Sequence, residues 1–217
     1  MMSVNRTITV MVVTLALVAG PLGASAAGKG GSKGPPGSSI AEQTLSAVEV
    51  DDLMYMREEE KLARDVYLTM FDAWGLAVFD NIAASEQTHT DSVKDMIEKY
   101  RLADPVVDDS VGVFVNQELA TLYAQLIARG TQSALEALHV GAYIEEVDMV
   151  DLARASEATD NADIRQLYDN LMSGSRNHLR AYVGQIEDLG VVYEAQYLSQ
   201  DEVDAIVDSP IERGRRR

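Results

Sequence analysis

Four long stretches of this chain carry apolar side chains at alternating spacings of three and four residues, and no stretch alternates with period two over the length of a strand. That spacing puts one apolar stripe along one face of an α-helix and leaves the other face polar. A helix cannot bury such a stripe alone, so the chain is expected to be all-α, with its helices packed stripe to stripe as a bundle. The stripes run Leu53, Met56, Glu60, Ala63, Tyr67, Met70, Trp74; then Ile82, Glu86, His89, Val93, Met96, Tyr100; then Leu135, Leu138, Ala142, Glu145, Met149, Leu152; and, in looser phase, Ile164, Leu171, Ser175, His178, Tyr182, Leu189.

Each stripe is broken near its middle by a carboxylate or an imidazole: Glu60, the pair Glu86 and His89, Glu145, and His178. Charged groups are costly to bury unless something pairs them. A single acid in a helical seam is more often out of phase, or bonded to an Arg or Tyr, than a metal ligand. Four interruptions at matching heights are harder to explain that way, because antiparallel packing brings them into one layer, where they would surround a metal. Glu86-x-x-His89 sets a carboxylate and an imidazole on one helix face.

The neighbouring polar residues weigh differently. Asp148 lies one turn beyond Glu145 on the same face, and is an extra ligand, an orienting partner for an imidazole, or a surface acid. Tyr67 and Tyr182 remain on the inner face, where each either bonds a ligand or fills core with its hydroxyl satisfied. Glu58 and Glu59 fall outside the first stripe and are expected in solvent; Glu146 is one step off phase, which favours Glu145. His139 lies off the seam and reads as an ordinary surface or interface histidine. Arg57, Arg64, Arg176 and Arg180 flank the candidate positions and are expected to pair with surrounding acids.

The helix limits follow from punctuation. A first helix is expected over Ala47–Trp74, opened by the capping box Ser46/Glu49 and stopped by Gly75. A second runs over Val78–Leu102, before Asp104-Pro105; a loop, Val106–Val115, follows, and then a shorter helix over Gln117–Arg129. The third long helix, Ala134–Glu157, starts at a second box, Ser133/Glu136; the fourth, Ala162–Leu189, stops at Gly190; a last short helix, Gln200–Val207, starts at Ser199 with Glu202 as box partner. Short links within each pair and a long link between pairs predict two antiparallel hairpins joined by a long crossover, with short accessory helices.

The flanks are of another kind. Residues 1–26 read as a signal peptide: Arg6, a nearly unbroken apolar run from Val10 to Ala19, and the cleavage pattern Ala24-Ser25-Ala26. The apolar run is short for a membrane span, so no span is expected after cleavage, and the protein is expected to be secreted, periplasmic or at the cell surface. Residues 27–44 form a Gly/Ser/Pro-rich tether, the bundle is expected over 45–190, and 191–217 form an extension with a basic tail. There is no Cys, which excludes thiolate ligands and Cys nucleophiles. With 18 Lys+Arg against 35 Asp+Glu, the net charge of −17 argues against nucleic acid or an anionic membrane as partner.

The segments MREEEKLARDVY (Met56 to Tyr67), ASEQTHTDSV (Ala84 to Val93), GAYIEEVDMVDL (Gly141 to Leu152) and GSRNHLRAY (Gly174 to Tyr182) resemble, in the same order, the family called DUF2202. That family is assigned to the ferritin-like superfamily, alongside rubrerythrin and bacterioferritin, and its activity is not established. The resemblance implies a ferritin-like four-helix bundle. In it Glu60 with Tyr67 is similar to the Glu-x6-Tyr of the first helix, Glu86 and His89 to the Glu-x-x-His of the second, Glu145 with Asp148 to the acids of the third, and His178 to the histidine of the fourth. One departure stands out: three residues before His178 the pattern asks for Glu, and this chain has Ser175. A bridging carboxylate is therefore missing, unless Asp148 replaces it. The rubredoxin module of rubrerythrins is absent.

Three readings remain open from sequence. The first is an exported metal protein with one or two ions, iron by preference and manganese or zinc as alternatives, acting on oxygen, peroxide or Fe(II) as an oxidoreductase. The second is a non-enzymatic metal-sequestering or cell-surface module with a degenerate site, which Ser175 favours. The third is a metal-free bundle whose polar layer fixes helix register, with Arg64 or Arg176 turned inward to balance charge. A monomer or dimer is expected in each.

Overall fold

The computed structural model describes residues 44–213. The expected signal peptide, all but the last residue of the tether, and the last four residues of the basic tail lie outside them. Among the described residues there are six helices and no strand: α1 (Ala47–Trp74), α2 (Ala77–Lys99), α3 (Gln117–Gly130), α4 (Ala134–Ala158), α5 (Ala162–Asp188) and α6 (Gln200–Val207). None is long and apolar enough to cross a membrane.

The architecture is a four-helix bundle of two hairpins, α1 against α2 and α4 against α5, with α1 also packed on α4 and α2 on α5. Local chemistry sets the limits of the elements. At α1 the Ser46 Oγ accepts from the Glu49 N–H while Glu49 Oε2 accepts from the Ser46 N–H at 2.8 Å, closing the capping box. Ser199 and Glu202 close the same box at α6. Ser133 makes only half of the expected box at α4: its Oγ accepts from the Glu136 N–H, but the Glu136 carboxylate turns to Arg129 instead, at 2.9 Å.

The second helix ends three residues short of the expected Leu102. Tyr100 and Arg101 leave it in a Schellman turn, in which the Leu102 N–H donates to the Ile97 carbonyl and the Arg101 N–H to that of Glu98.

The core is divided. One apolar cluster holds Val66, Tyr67 and Met70 of α1 with Phe79, Ile82, Leu138, Ala142, Tyr182 and Val183. The other holds Leu53 and Met56 of α1 with Val93, Ile97, Leu152, Ile164 and Leu171. Between them, at mid-height in all four long helices, lies a polar layer.

Two expectations about surface acids fail. Glu58 and Glu59 are buried, 4% and 6% exposed. The crossover covers the outer face of α1, and Glu58 accepts there from the Val115 N–H at 2.6 Å and the Asn116 N–H at 3.0 Å. On the same face Lys61 and Asp65, both fully buried, pair at 2.5 Å; Lys61 also donates to the Ser110 carbonyl and Asp65 accepts from the Gly112 N–H. Loop backbone groups that water would otherwise satisfy are satisfied by these side chains. Glu59 has a different neighbourhood, facing acids of α4.

Candidate metal centre

Glu86 occupies the middle of the polar layer. Its Oε2 lies 2.7 Å from Nδ1 of His89, one turn along α2, and its Oε1 lies 2.7 Å from Nδ1 of His178 on α5. The two imidazoles stack with centroids 5.4 Å apart. Glu60 Oε2 approaches His89 Nδ1 at 3.3 Å, and Glu145 Oε2 approaches His178 Nδ1 at 3.5 Å. The layer thus contains two sets of donors that share Glu86: Glu60, Glu86 and His89 on one side, and Glu145, Glu86 and His178 on the other. Donors of Glu86, His89 and His178 lie within 4.8 Å of one another.

Several of these atoms are buried without a hydrogen bond: Glu60 Oε1, Glu86 Oε1, Asp148 Oδ1 and His178 Nδ1. Glu86 Oε1 and His178 Nδ1 are close, yet not aligned for a hydrogen bond. Neighbouring ligands of one ion, bound at about 2.1 Å, sit roughly 3 Å apart with lone pairs turned to a common point rather than to each other. The separations of 2.7 to 3.5 Å in both sets match that requirement.

Supporting contacts orient the donors. Tyr67 donates to Glu145 Oε1 at 2.5 Å, so the tyrosine seven residues after Glu60 serves the far acid. Ser85 Oγ lies 2.9 Å from His178 Nε2; when the imidazole is neutral with its proton on Nε2, that contact leaves the Nδ1 lone pair to an ion beside Glu86. Ser175 Oγ donates to Asp148 Oδ2, while Asp148 Oδ1 stays unpartnered. The fourth helix therefore lacks its own carboxylate but holds one that arrives from α4. Gly174 leaves room for His89, because a Cβ there would fall on the imidazole ring.

The electrostatics follow from crowding acids in a dry layer. Burial pushes Glu60 up to about 7, against the pull of His89. Burial raises Glu145, and it raises Asp148 well above the carboxylate range with Glu60 and Glu145 adding to the effect. Burial would raise Glu86 too, but His178 and His89 outweigh it and hold Glu86 below the usual range. Burial would lower both imidazoles; Glu86 with Glu60 holds His89 well above the ordinary value, and Glu86 with Glu145 raises His178 to about 10.

The five residues expected to meet, Glu60, Glu86, His89, Glu145 and His178, do meet, and Asp148 is a buried neighbour rather than a surface acid. Glu146, one step off phase, turns away to bind the C-terminal extension. None of the arginines enters the layer. Arg57 pairs with Asp104, Arg64 with Asp65 and Asp109, and Arg176 and Arg180 with Glu212. His139 stacks on Tyr193 of the C-terminal extension rather than joining the layer. The sequence carried no signal for Ser85 and Gly174, whose contacts with the layer come from what faces them across the bundle.

A family model described as "Uncharacterized protein domain (DUF2202)" matches residues 49–210. The chain belongs to the DUF2202 family. It is 50% identical over 180 residues to the uncharacterized protein MJ0754 of Methanocaldococcus jannaschii, covering 83% of this chain and 97% of that one. The crystal structure of the hypothetical protein MJ0754 matches the fold with a TM-score of 0.77, over 81% of this chain and all of that chain. All six candidate ligands lie inside the DUF2202 match.

Proposed function

We propose that this DUF2202 protein is an exported, ferritin-like metal protein that holds two divalent ions in the core of its bundle, iron by preference, and acts as an oxidoreductase on oxygen, peroxide or Fe(II). The observation that carries the proposal is Glu86: one buried carboxylate whose two oxygens each face the Nδ1 of a different histidine at 2.7 Å. Such a carboxylate would suit two ions held between the two imidazoles. Glu60 with His89 would complete one coordination sphere, and Glu145 with His178 the other. The donor set is mixed carboxylate and imidazole without sulfur, which suits iron or manganese and admits zinc. A bound Fe(II) pair would supply electrons to a small oxidant such as oxygen or peroxide.

The protein's own residues prepare the site. The two apolar clusters exclude water from above and below. Tyr67 fixes the Glu145 carboxylate, and Ser85 fixes the His178 ring. A metal-free polar layer is the weaker reading, since neither Arg64 nor Arg176 turns inward and four donor atoms stay unpartnered. Sequestration without turnover is favoured by Ser175 alone, and Asp148 answers that departure by reaching the position from α4.

The test is elemental analysis and anaerobic Fe(II) titration of the protein from residue 27 onward. Two equivalents of metal per chain are expected, both lost in Glu86→Ala and one lost in Glu60→Ala. Unchanged metal content in both variants would sink the assignment. Consumption of oxygen or peroxide by the iron-loaded protein separates the oxidoreductase from a store. The export reading rests on Arg6, the apolar run and Ala24-Ser25-Ala26, and is checked by the N-terminus of the mature protein.

A further inference from the structure

Glu59 precedes the candidate ligand Glu60, and nothing in the centre described above uses it. It is 6% exposed, and its Oε2 is buried without a hydrogen-bond partner. The groups around it are acids of α4: it is within hydrogen-bonding reach of Asp151 and feels the charge of Asp148 and Asp151 as well as Glu60. Asp148 is likewise 6% exposed, with Oδ1 unpartnered, and it feels Glu60, Glu145 and Glu86. Asp151 is the outermost of the three, with its side chain 25% exposed.

Glu145, Asp148 and Asp151 recur every third residue along α4, so that consecutive members are neighbours about 4.5 Å apart along the axis and each step turns about 60° round the helix, from the core toward solvent. Their carboxylates therefore descend in steps from solvent to the centre, with Glu59 of α1 alongside the outer steps. The cation at the outer end, Arg154, has its side chain 54% exposed; it lies 3.5 Å from Asp151 and donates to Asp52 at 2.9 Å, leaving the inner steps without a basic partner. Buried carboxylates with unpartnered oxygens cost stability. A divalent cation is the ligand that relieves this cost, and carboxylate oxygens are its preferred donors.

We propose that Asp151, Glu59 and Asp148 form a carboxylate ladder along which divalent cations pass from solvent to the bundle centre. Asp151 captures the hydrated ion at the surface. Glu59 and Asp148 replace its water inside and hand it to the Glu60, Glu86 and Glu145 donors. The inference rests on the metal-centre reading and adds the route to it.

The test is stopped-flow uptake of Co(II) by the protein from residue 27 onward, followed by absorbance, with equilibrium stoichiometry measured in parallel. Glu59→Gln and Asp151→Asn are compared with Asp51→Asn, an exposed acid outside the ladder that controls for net charge. Both ladder variants are expected to bind the wild-type number of Co(II) ions but to load at least tenfold more slowly, while Asp51→Asn loads at the wild-type rate. Equal rates in all four proteins would overturn the ladder, and so would a ladder variant that loses an equivalent without slowing, because Glu59 or Asp151 would then be a ligand of the centre. A wild-type protein that takes up no Co(II) would overturn the centre, and the ladder with it.

Discussion

Arg101 carries a φ of 58° at the end of α2, in a turn built like the one that Gly190, at 77°, makes after α5. In both, the residue after the cap donates to the second-last carbonyl of the helix, and the next residue donates one position further back. An L side chain in this left-handed region costs roughly 1 kcal/mol, which Gly avoids. That backbone cost is expected to appear in urea unfolding as a stability about 1 kcal/mol higher for Arg101→Gly than for Arg101→Ala, both of which remove the side chain and its contacts. Gly174 is the opposite case, since its missing Cβ makes room for the His89 ring. Gly174→Ala is expected to displace the imidazole and weaken metal binding by about 10- to 100-fold, with a smaller change in helix content, as seen by metal titration beside circular dichroism. Neither position was legible in the sequence. The meeting of Glu60, Glu86, His89, Glu145 and His178 in one layer was, because each interrupts an apolar stripe whose period fixes its direction. Gly174 and Ser85 matter only through what a neighbouring helix presents to them, and a single stripe says nothing about that.

At the scale of elements, the periodic helices were legible to within a few residues, while the irregular segments that cover them were not. Glu58 and Glu146 each lie off the inner stripe of their helix, and each is buried by a segment without periodicity. Glu58 holds the crossover. Glu146 holds the C-terminal extension: it accepts from the N–H groups of Gln196, Tyr197 and Leu198 and from the Tyr193 hydroxyl. Off-phase acids look solvated when only the helix carrying them is considered; their partners are loop amides with no sequence signature. Removing such a carboxylate leaves several buried donors unsatisfied, each costly. Glu146→Ala is expected to lower global stability by about 3 kcal/mol and to expose the amides of 196–198 to hydrogen exchange, while metal content stays at the wild-type value. Loss of metal in this variant would show instead that the extension supports the centre.

For the whole molecule, the cost of gathering acids into one layer and the proposed metal site are two sides of one balance. Metal-free, the layer holds Glu60 raised to about 7, Glu145 and Asp148 also raised, and His178 raised to about 10 with His89 above its ordinary value. A carboxyl group raised in the folded state destabilises the fold as pH climbs from its unfolded value to its folded one, here from 4.5 to about 7 for Glu60. An imidazole raised in the folded state stabilises the fold below 6.5, and that contribution is lost as pH climbs toward about 10 for His178. Both act in the same direction, so the metal-free protein is expected to lose thermal stability steadily from about pH 5 to pH 9. Glu86, held low by the imidazoles, limits stability from the acid side. Metal binding reverses the trend. An ion needs Glu60 ionised and both imidazoles neutral, so loading releases protons and strengthens with pH. With both histidines protonated and Glu60 about half protonated at pH 7, loading both proposed sites releases about two imidazole protons plus a share of the Glu60 proton that shrinks as pH rises, and the overall affinity is expected to rise by at least roughly a hundredfold per pH unit between pH 6 and 8, most steeply near pH 6. Calorimetric titration in buffers of different ionisation enthalpy counts those protons directly. Parallel melting curves of loaded and metal-free protein would then diverge with rising pH. Curves that keep a constant separation, with no proton release, would mean that the metal binds outside the Glu86 layer.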